Sequence, residues 1–251
     1  MAGLGVERVI GQEHPEGLTT NQEALADLLF DTKIVAPVTR RGFDSDGNYQ
    51  FYKAERPTAP IDFAQEGEFA LKMYETDPGA PLSPVYINLR NLPENVLSQV
   101  GVVLAEMGGE IPDLCAGIPK AGVPLARAYS EHSAVPVKDD VFEKEQTEAG
   151  RKIVTGDIEN HQGMTLRIVD DLATKGETKV EAIKAAEQMG YKVMDIVVLV
   201  DRQQGATEQL AESGYTLRSA FTIDQLLQYG VRTERISMDQ YKEVRQYLKL
   251  D

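Results

Sequence analysis

The sequence predicts an α/β fold with a central parallel sheet flanked by helices, and three observations carry that prediction. From Glu68 onward, short apolar runs alternate with helical stretches of about 10–15 residues, the pattern of βαβ units. The runs Leu114–Ile118, Thr165–Val169 and Ile196–Val200 are rich in aliphatic and β-branched residues, as buried strands are. Two of them lead into Gly- or Thr-bearing loops that open directly into helices. At 251 residues the chain can bury a substantial core, as one domain or one domain with an added piece.

Taken in order, residues 1–20 read as a loose arm. A helix is expected from Thr20 or Asn21, with Leu25, Leu28, Leu29 and Ile34 on its apolar side. Residues 36–66 are the least regular part: Arg40-Arg41-Gly42, a Ser-Asp-Gly-Asn turn at 45–48, then Pro57 and Pro60. They read as a small hairpin outside the main repeat. Phe69–Met73 and Val85–Asn88 are expected to pair as strands. Residues 94–107 carry a helical stripe of Val96, Leu97, Val100, Val103, Leu104 and Met107, stopped by Gly108-Gly109. The Leu114–Ile118 strand is followed by a helix over about 123–130, and the Thr165–Val169 strand by a helix bearing Val180, Ile183, Ala186 and Met189. After the Ile196–Val200 strand comes one more, Tyr215–Phe221, and Thr222 caps a short helix. Ser237 and Gln240 form a capping box for a last helix that is expected only to pack on the sheet.

Composition excludes several function classes. Net charge −14 and pI ≈ 4.7 oppose binding to a phosphate backbone, which needs clustered Lys and Arg, so no nucleic-acid partner is expected. No apolar run approaches the roughly 20 residues of a membrane span, and the N-terminus lacks a signal-peptide apolar region. A cytoplasmic protein without membrane contact is the expectation. The single cysteine, Cys115, lies in an apolar strand and is expected to be a buried, inert thiol. His14, His132 and His161 have no spaced partners for a metal or a nucleophile, and no side-chain metal site is expected.

The chemistry concentrates in residues 166–178. There an apolar run ends in Asp170 and Asp171, a loop Thr174-Lys175-Gly176 follows, and a helix begins near Glu177 and Thr178. Open α/β sheets bind ligands at the carboxyl ends of their strands. Two acids there can hold sugar hydroxyls, while Thr hydroxyls and backbone N–H groups at a helix start suit a phosphate. A phosphorylated sugar is the implied ligand, although Asp and Thr also cap helices without any ligand. The loop Gly117-Ile-Pro-Lys120-Ala-Gly122 repeats the strand–loop–helix arrangement with one lysine, suited to a diphosphate or simply to solvent. Residues 138–152 are strongly charged and read as a mobile lid or as a solvated hairpin.

These residues resemble a known family. Ile168-Val-Asp-Asp-Leu-Ala-Thr-Lys-Gly-Glu-Thr178 resembles the motif with which type I phosphoribosyltransferases bind 5-phosphoribosyl 1-diphosphate (PRPP). Gly67-Glu-Phe-Ala-Leu-Lys72, Ser83-Pro-Val-Tyr-Ile-Asn88 and Leu199-Val-Asp-Arg-Gln-Gln-Gly205 are similar to segments of the orotate branch. The resemblance covers about 25–227, interrupted by 36–66. It implies the type I phosphoribosyltransferase fold: an N-terminal region with arm, helix, insertion and hood over 1–110, a PRPP-binding core over 111–230 and a C-terminal helix over 231–251. It implies transfer of the phosphoribosyl group from PRPP to orotate, in a homodimer, with Mg²⁺ held through PRPP oxygens. Asp170 and Asp171 would contact the ribose hydroxyls, with Asp171 catalytic. Thr174, Lys175, Gly176, Glu177 and Thr178 would wrap the 5′-phosphate. Lys120 would sit at the diphosphate and Lys72 would reach PRPP, while Tyr86, Ile87, Thr174 and Arg202 would border orotate. Arg202 favours an anionic, carboxylated base over a neutral purine.

One segment departs from the family. Its mobile loop follows the pattern Arg-Lys-x-x-Lys-x-His-Gly, which falls here on Glu143, Lys144, Thr147, Ala149 and Gly150. Lys144 is the catalytic cation retained, and an acid stands where the arginine belongs, with Arg151 and Lys152 just beyond. Loss of one charge-stabilising group typically costs about 10²–10³ in rate. Two alternatives therefore stand beside the orotate enzyme: a PRPP- or nucleotide-binding protein with weak or partner-dependent catalysis, and a transferase for another base.

Overall fold

The computed structural model describes residues 17–147, 150–156 and 161–250, with only the backbone described for residues 72, 73, 146, 147, 150 and 151. Helix α1 (Thr20–Asp31) begins at a capping box in which the Thr19 hydroxyl accepts from the Gln22 N–H and the Gln22 side chain accepts from the Thr19 N–H. It stops at Asp31, so Ile34 belongs to the next element and not to the helix stripe.

The irregular 36–66 stretch is a long antiparallel hairpin. Strand β1 (Ile34–Phe43) pairs with β2 (Tyr49–Thr58) over ten residue pairs, turning at Asp44–Asn48. Strand β3 (Ile61–Phe63) pairs with β4 (Val85–Ile87). The expected pairing of Phe69–Met73 with Val85–Asn88 is thereby corrected. Phe69 takes a left-handed φ of 59°, and Lys72–Glu75 is a 3-10 turn, so that segment cannot lie flat as a strand. Helix α2 (Glu94–Glu106) follows and ends before Gly108 and Gly109, both at positive φ.

The central sheet then assembles. Strand β5 (Leu114–Gly117) leads into α3 (Gly122–Ser133). A second hairpin, β6 (Phe142–Thr147) with β7 (Gly150–Thr155), accounts for most of the charged 138–152 segment. Strand β8 (Thr165–Ala173) leads to α4 (Glu177–Gln188), β9 (Lys192–Asp201) to α5 (Ala206–Glu212), and β10 (Leu217–Thr222) to α6 (Ile223–Arg232) and α7 (Met238–Leu248). The four strands run parallel in the order β10-β9-β8-β5.

Alternation along these strands feeds two apolar layers. Ile168, Ile196 and Val198 face Ala182, Ile183 and Leu210 of α4 and α5. Val169, Val197 and Leu199 belong with Leu25, Val100, Leu125, Leu227 and Val244 from α1, α2, α3, α6 and α7. Helices thus cover both faces, and the N- and C-terminal helices share one core. Each fully buried Val, Leu or Ile side chain among them contributes roughly 1.5–3 kcal/mol. Among the described residues no helix is long and apolar enough to cross a membrane.

Candidate active site at the carboxyl edge of the sheet

Strand β8 is longer than its apolar run, continuing to Ala173 because Leu172 and Ala173 still pair with Val200 and Asp201 of β9. The two acids therefore lie inside the ladder. The Asp170 carboxylate is 6% exposed and accepts from the Asp171 N–H at 2.9 Å and from Lys179 Nζ at 2.7 Å. Lys179, on the first turn of α4 and 5% exposed, also donates to the Leu172 carbonyl. Asp171 has no such cation. Burial, then the charge of Asp170 and a hydrogen bond between the two carboxyl groups, push Asp171 up to about 7, with Lys179 and Arg90 pulling the other way. An acid so displaced in a cleft marks a candidate functional group.

The β5–α3 loop is held against these acids by two glycines. A Cβ on Gly122 would lie 2.4 Å from the Val169 carbonyl oxygen, and one on Gly117 would lie 2.3 Å from the Gly122 carbonyl carbon. Only glycine permits that approach. The Ile118 N–H donates to the Val169 carbonyl at 2.9 Å, and Lys120 follows on the rim of the cleft. Cys115, beneath, is fully buried, and burial raises its thiol to about 12, an inert group.

The cleft has a volume of ≈ 800 Å³. Its walls include Tyr86, Ile87, Lys120, Lys144, Asp170, Asp171, Thr174 and Thr178 of the residues named from sequence. Tyr86 stacks on Phe69 with ring centres 4.7 Å apart, which makes a flat, partly desolvated wall, and burial raises its hydroxyl. Lys175, Gly176 and Glu177 do not line the cleft. The Gly176 N–H, one of the amides expected at a phosphate, donates to Gln209 Oε1 of α5 at 2.8 Å. Arg202 also stands apart from these walls. Its N–H donates to the Ala173 carbonyl, its Nε is buried without a hydrogen-bond partner among the described residues, and burial lowers its pKa. The Lys72 side chain, Ala149 and His14 lie outside the described residues.

On β6 the strand alternation decides which charges face inward. Lys144 lines the cleft, whereas the side chain of Glu143 lies at the position a Cβ on Gly156 would take, 2.7 Å away. The acid in the arginine position therefore packs at the base of this hairpin. Sequence reasoning missed Lys179, Arg90 and Lys53, all on the cleft walls, and Gln209 beside the phosphate loop. For Lys179 the sequence signal is slight: a lysine in the first turn of a helix opposes the helix dipole by only about 0.3–1 kcal/mol, which favours but does not demand an anionic partner. Among the described residues no group of three or more His, Cys, Asp and Glu is arranged to hold a metal ion.

Comparison with known proteins bears on this geometry. Residues 103–219, from α2 to β10, match a family model described as the phosphoribosyl transferase domain. Orotate phosphoribosyltransferase of Methanopyrus kandleri is 40% identical over 114 residues, 45% of this chain and 60% of that protein. The orotate phosphoribosyltransferase of Methanoculleus marisnigri is 32% identical over 148 residues, 58% of this chain and 83% of that protein. The solved structure of Leishmania donovani UMP synthase superposes with a TM-score of 0.60 at 32% identity, covering 75% of this chain and 39% of that one.

Proposed function

Because the chain belongs to the orotate phosphoribosyltransferase family, we propose that it transfers the phosphoribosyl group of PRPP to orotate, giving orotidine 5′-phosphate and pyrophosphate in pyrimidine (UMP) biosynthesis. The observation that carries this reading is one cleft containing Asp170 and Asp171, Thr174 and Thr178, and Lys120 on a loop folded onto the acid strand.

A ring nitrogen of orotate attacks the anomeric carbon while the bond to diphosphate breaks and its electron pair leaves with the diphosphate. The ribose passes through an oxocarbenium-like state, so positive charge grows on the sugar and negative charge on the leaving group. Asp171 lies where it can accept from ribose hydroxyls and face that positive charge. Lys179 neutralises and orients Asp170, leaving Asp171 as the variable acid. Lys120 and Lys144 stand for the diphosphate, and fixed cations in a closed site lower the barrier without reorganising. Thr174 and Thr178 serve the 5′-phosphate. Tyr86 and Ile87 give the flat base a wall, and Arg202, off those walls, keeps the base-bordering role that the family resemblance gives it. Lys72, Lys175, Gly176 and Glu177 keep the PRPP-binding roles that the family resemblance gives them.

A magnesium ion fits this donor set. Asp171 lacks a cation of its own, and Mg²⁺ is commonly bound through one or two carboxylates plus substrate oxygens. Bound there, it would neutralise charge on the departing diphosphate. The same reading carries a cytoplasmic homodimer. Incubating the protein with orotate, PRPP and Mg²⁺ should deplete orotate absorbance with matching release of pyrophosphate; folded protein that shows no turnover would refute the transferase reading. The loss of the other loop cations around Lys144 favours one second reading, PRPP binding with weak or partner-dependent catalysis. Calorimetric PRPP binding without turnover would select it.

A further inference from the structure

We propose that Lys53, carried to the cleft by the β1–β2 hairpin, is a diphosphate-binding cation of this site, a role that rests on the PRPP reading above. The hairpin lies outside the segment that matches the family model, yet it forms a wall of the cleft. Pro37, Thr39 and Lys53 all face the cleft, and Thr39 and Lys53 are partners in the β1–β2 register.

This wall is fixed in place. The Glu68 carboxylate, 1% exposed, receives Arg56 from β2 at 2.8 Å and Arg40 from β1 at 3.3 Å, so one buried acid clamps both strands. Arg56 also reaches Asp62 at 2.7 Å. The Ala70 N–H donates to the Thr39 carbonyl and the Arg41 N–H to the Gly67 carbonyl, tying β1 to the segment before the 3-10 turn. Farther out, Phe51 stacks on Tyr74 with ring centres 4.2 Å apart. Bracing fixes the backbone of Lys53 at the cleft wall, so a ligand there need order only the lysine side chain.

The charges on the walls assign its role. Lys179 is committed to Asp170, and the field of Arg90 falls on Asp171 and Tyr86, the ribose and base side. Lys120 and Lys53 remain, from two different elements, for the multiply charged leaving group. Lys53 is exposed and has no hydrogen bond or ion pair among the described residues, with Glu75 on the same walls included.

The test compares wild type, Lys53→Gln and Lys53→Arg by calorimetry, with Mg²⁺, against inorganic pyrophosphate, ribose 5-phosphate and orotate separately. Lys53→Gln should weaken pyrophosphate binding about ten-fold, the effect of one charge-assisted hydrogen bond. Ribose 5-phosphate and orotate binding should be unchanged, and Lys53→Arg should retain pyrophosphate binding. Unchanged pyrophosphate affinity in Lys53→Gln, equal weakening of all three ligands, or selective loss of orotate would each overturn the assignment. If wild type binds PRPP but Lys53→Gln matches it, this inference alone fails. If wild type binds neither PRPP nor pyrophosphate, the function proposed above fails with it.

Discussion

At the amino edge of the central sheet, Arg167 on β8, Asp195 on β9 and Arg218 on β10 meet across three adjacent strands. Both Asp195 oxygens accept from Arg167 at 2.7 Å, Tyr129 takes another guanidinium N–H at 2.7 Å, and Arg218 caps the Met107 and Gly108 carbonyls at the end of α2. At the carboxyl edge of the same sheet, Asp170 has Lys179, Asp201 accepts from the Gln203 N–H and the Thr207 hydroxyl, and Asp171 is left over. In the first cluster the Arg167–Asp195 pair is closed by its own partners, while Arg218 Nε is buried without a hydrogen bond among the described residues. The second keeps an acid whose ionisation the fold opposes, and it opens onto the cleft. Buried charge that is fully paired belongs to the scaffold, while buried charge left in deficit awaits a ligand.

The strongest way to break this contrast is Asp195→Ala. Arg167, 3% exposed, would be left as a buried cation that cannot lose its proton. Removing one partner of such a pair costs about 3–5 kcal/mol, and urea unfolding should show a midpoint lowered accordingly with activity per folded molecule retained.

At the other edge, Asp171→Asn should act in the opposite sense. Turnover should fall about 10²–10³, as for loss of one group stabilising developing charge. The free protein should nonetheless become more stable at high pH. Folding raises the Asp171 pKa from 3.8 to about 7, so over that window the folded state holds a proton that the unfolded state has released. Wild-type stability is therefore lost as pH rises through the window, and an amide escapes the loss. Melting curves should place the variant above wild type at pH 8 and close the gap toward pH 4. A variant that melts lower at pH 8 would mean that Asp171 is structurally satisfied.

How much of this contrast is legible in the sequence depends on range. Runs such as Ile196–Val200, and the Gly-bounded stripes of α2 and α4, declare strands and helices locally, and adjacent Asp170 and Asp171 declare a strand-end site. The pairing of β4 with β3 is not local: it turns on a left-handed Phe69 that no composition rule demands. Lys179 reads as a solvent-facing helix residue until the backbone brings it to a carboxylate nine positions back. Lys53 reads as one charge in an irregular stretch, because its orientation depends on ion pairs to Glu68 made by other residues. Charges that meet through the fold leave little trace in the spacing.

Lys179→Met sharpens the comparison by removing the cation instead of the acid. Asp170 would remain buried without its partner, but a carboxylate can take up a proton where an arginine cannot release one. The cost should accordingly be smaller than for Asp195→Ala, about 1–3 kcal/mol. It should also depend on pH. Lys179 is one of the cations that hold Asp171 down, so its loss pushes that raised acid further up, and the deficit against wild type should be larger at pH 8 than at pH 5 in parallel denaturant titrations. A deficit independent of pH would show that Lys179 contributes by packing alone.

The smallest effect concerns the phosphate loop. Gln209 Oε1 occupies the Gly176 N–H, and a phosphate using that amide must displace it. Displacing that neutral hydrogen bond costs about 0.5–1.5 kcal/mol. Gln209→Ala removes the competitor, so the KM for PRPP should fall about two- to ten-fold with kcat unchanged, the signature of binding shared by ground and transition states. A KM that rises instead would reverse the role: Gln209 would then hold the loop open in its binding shape, and the carboxyl edge would be better prepared for its ligand than its unpaired charge suggests.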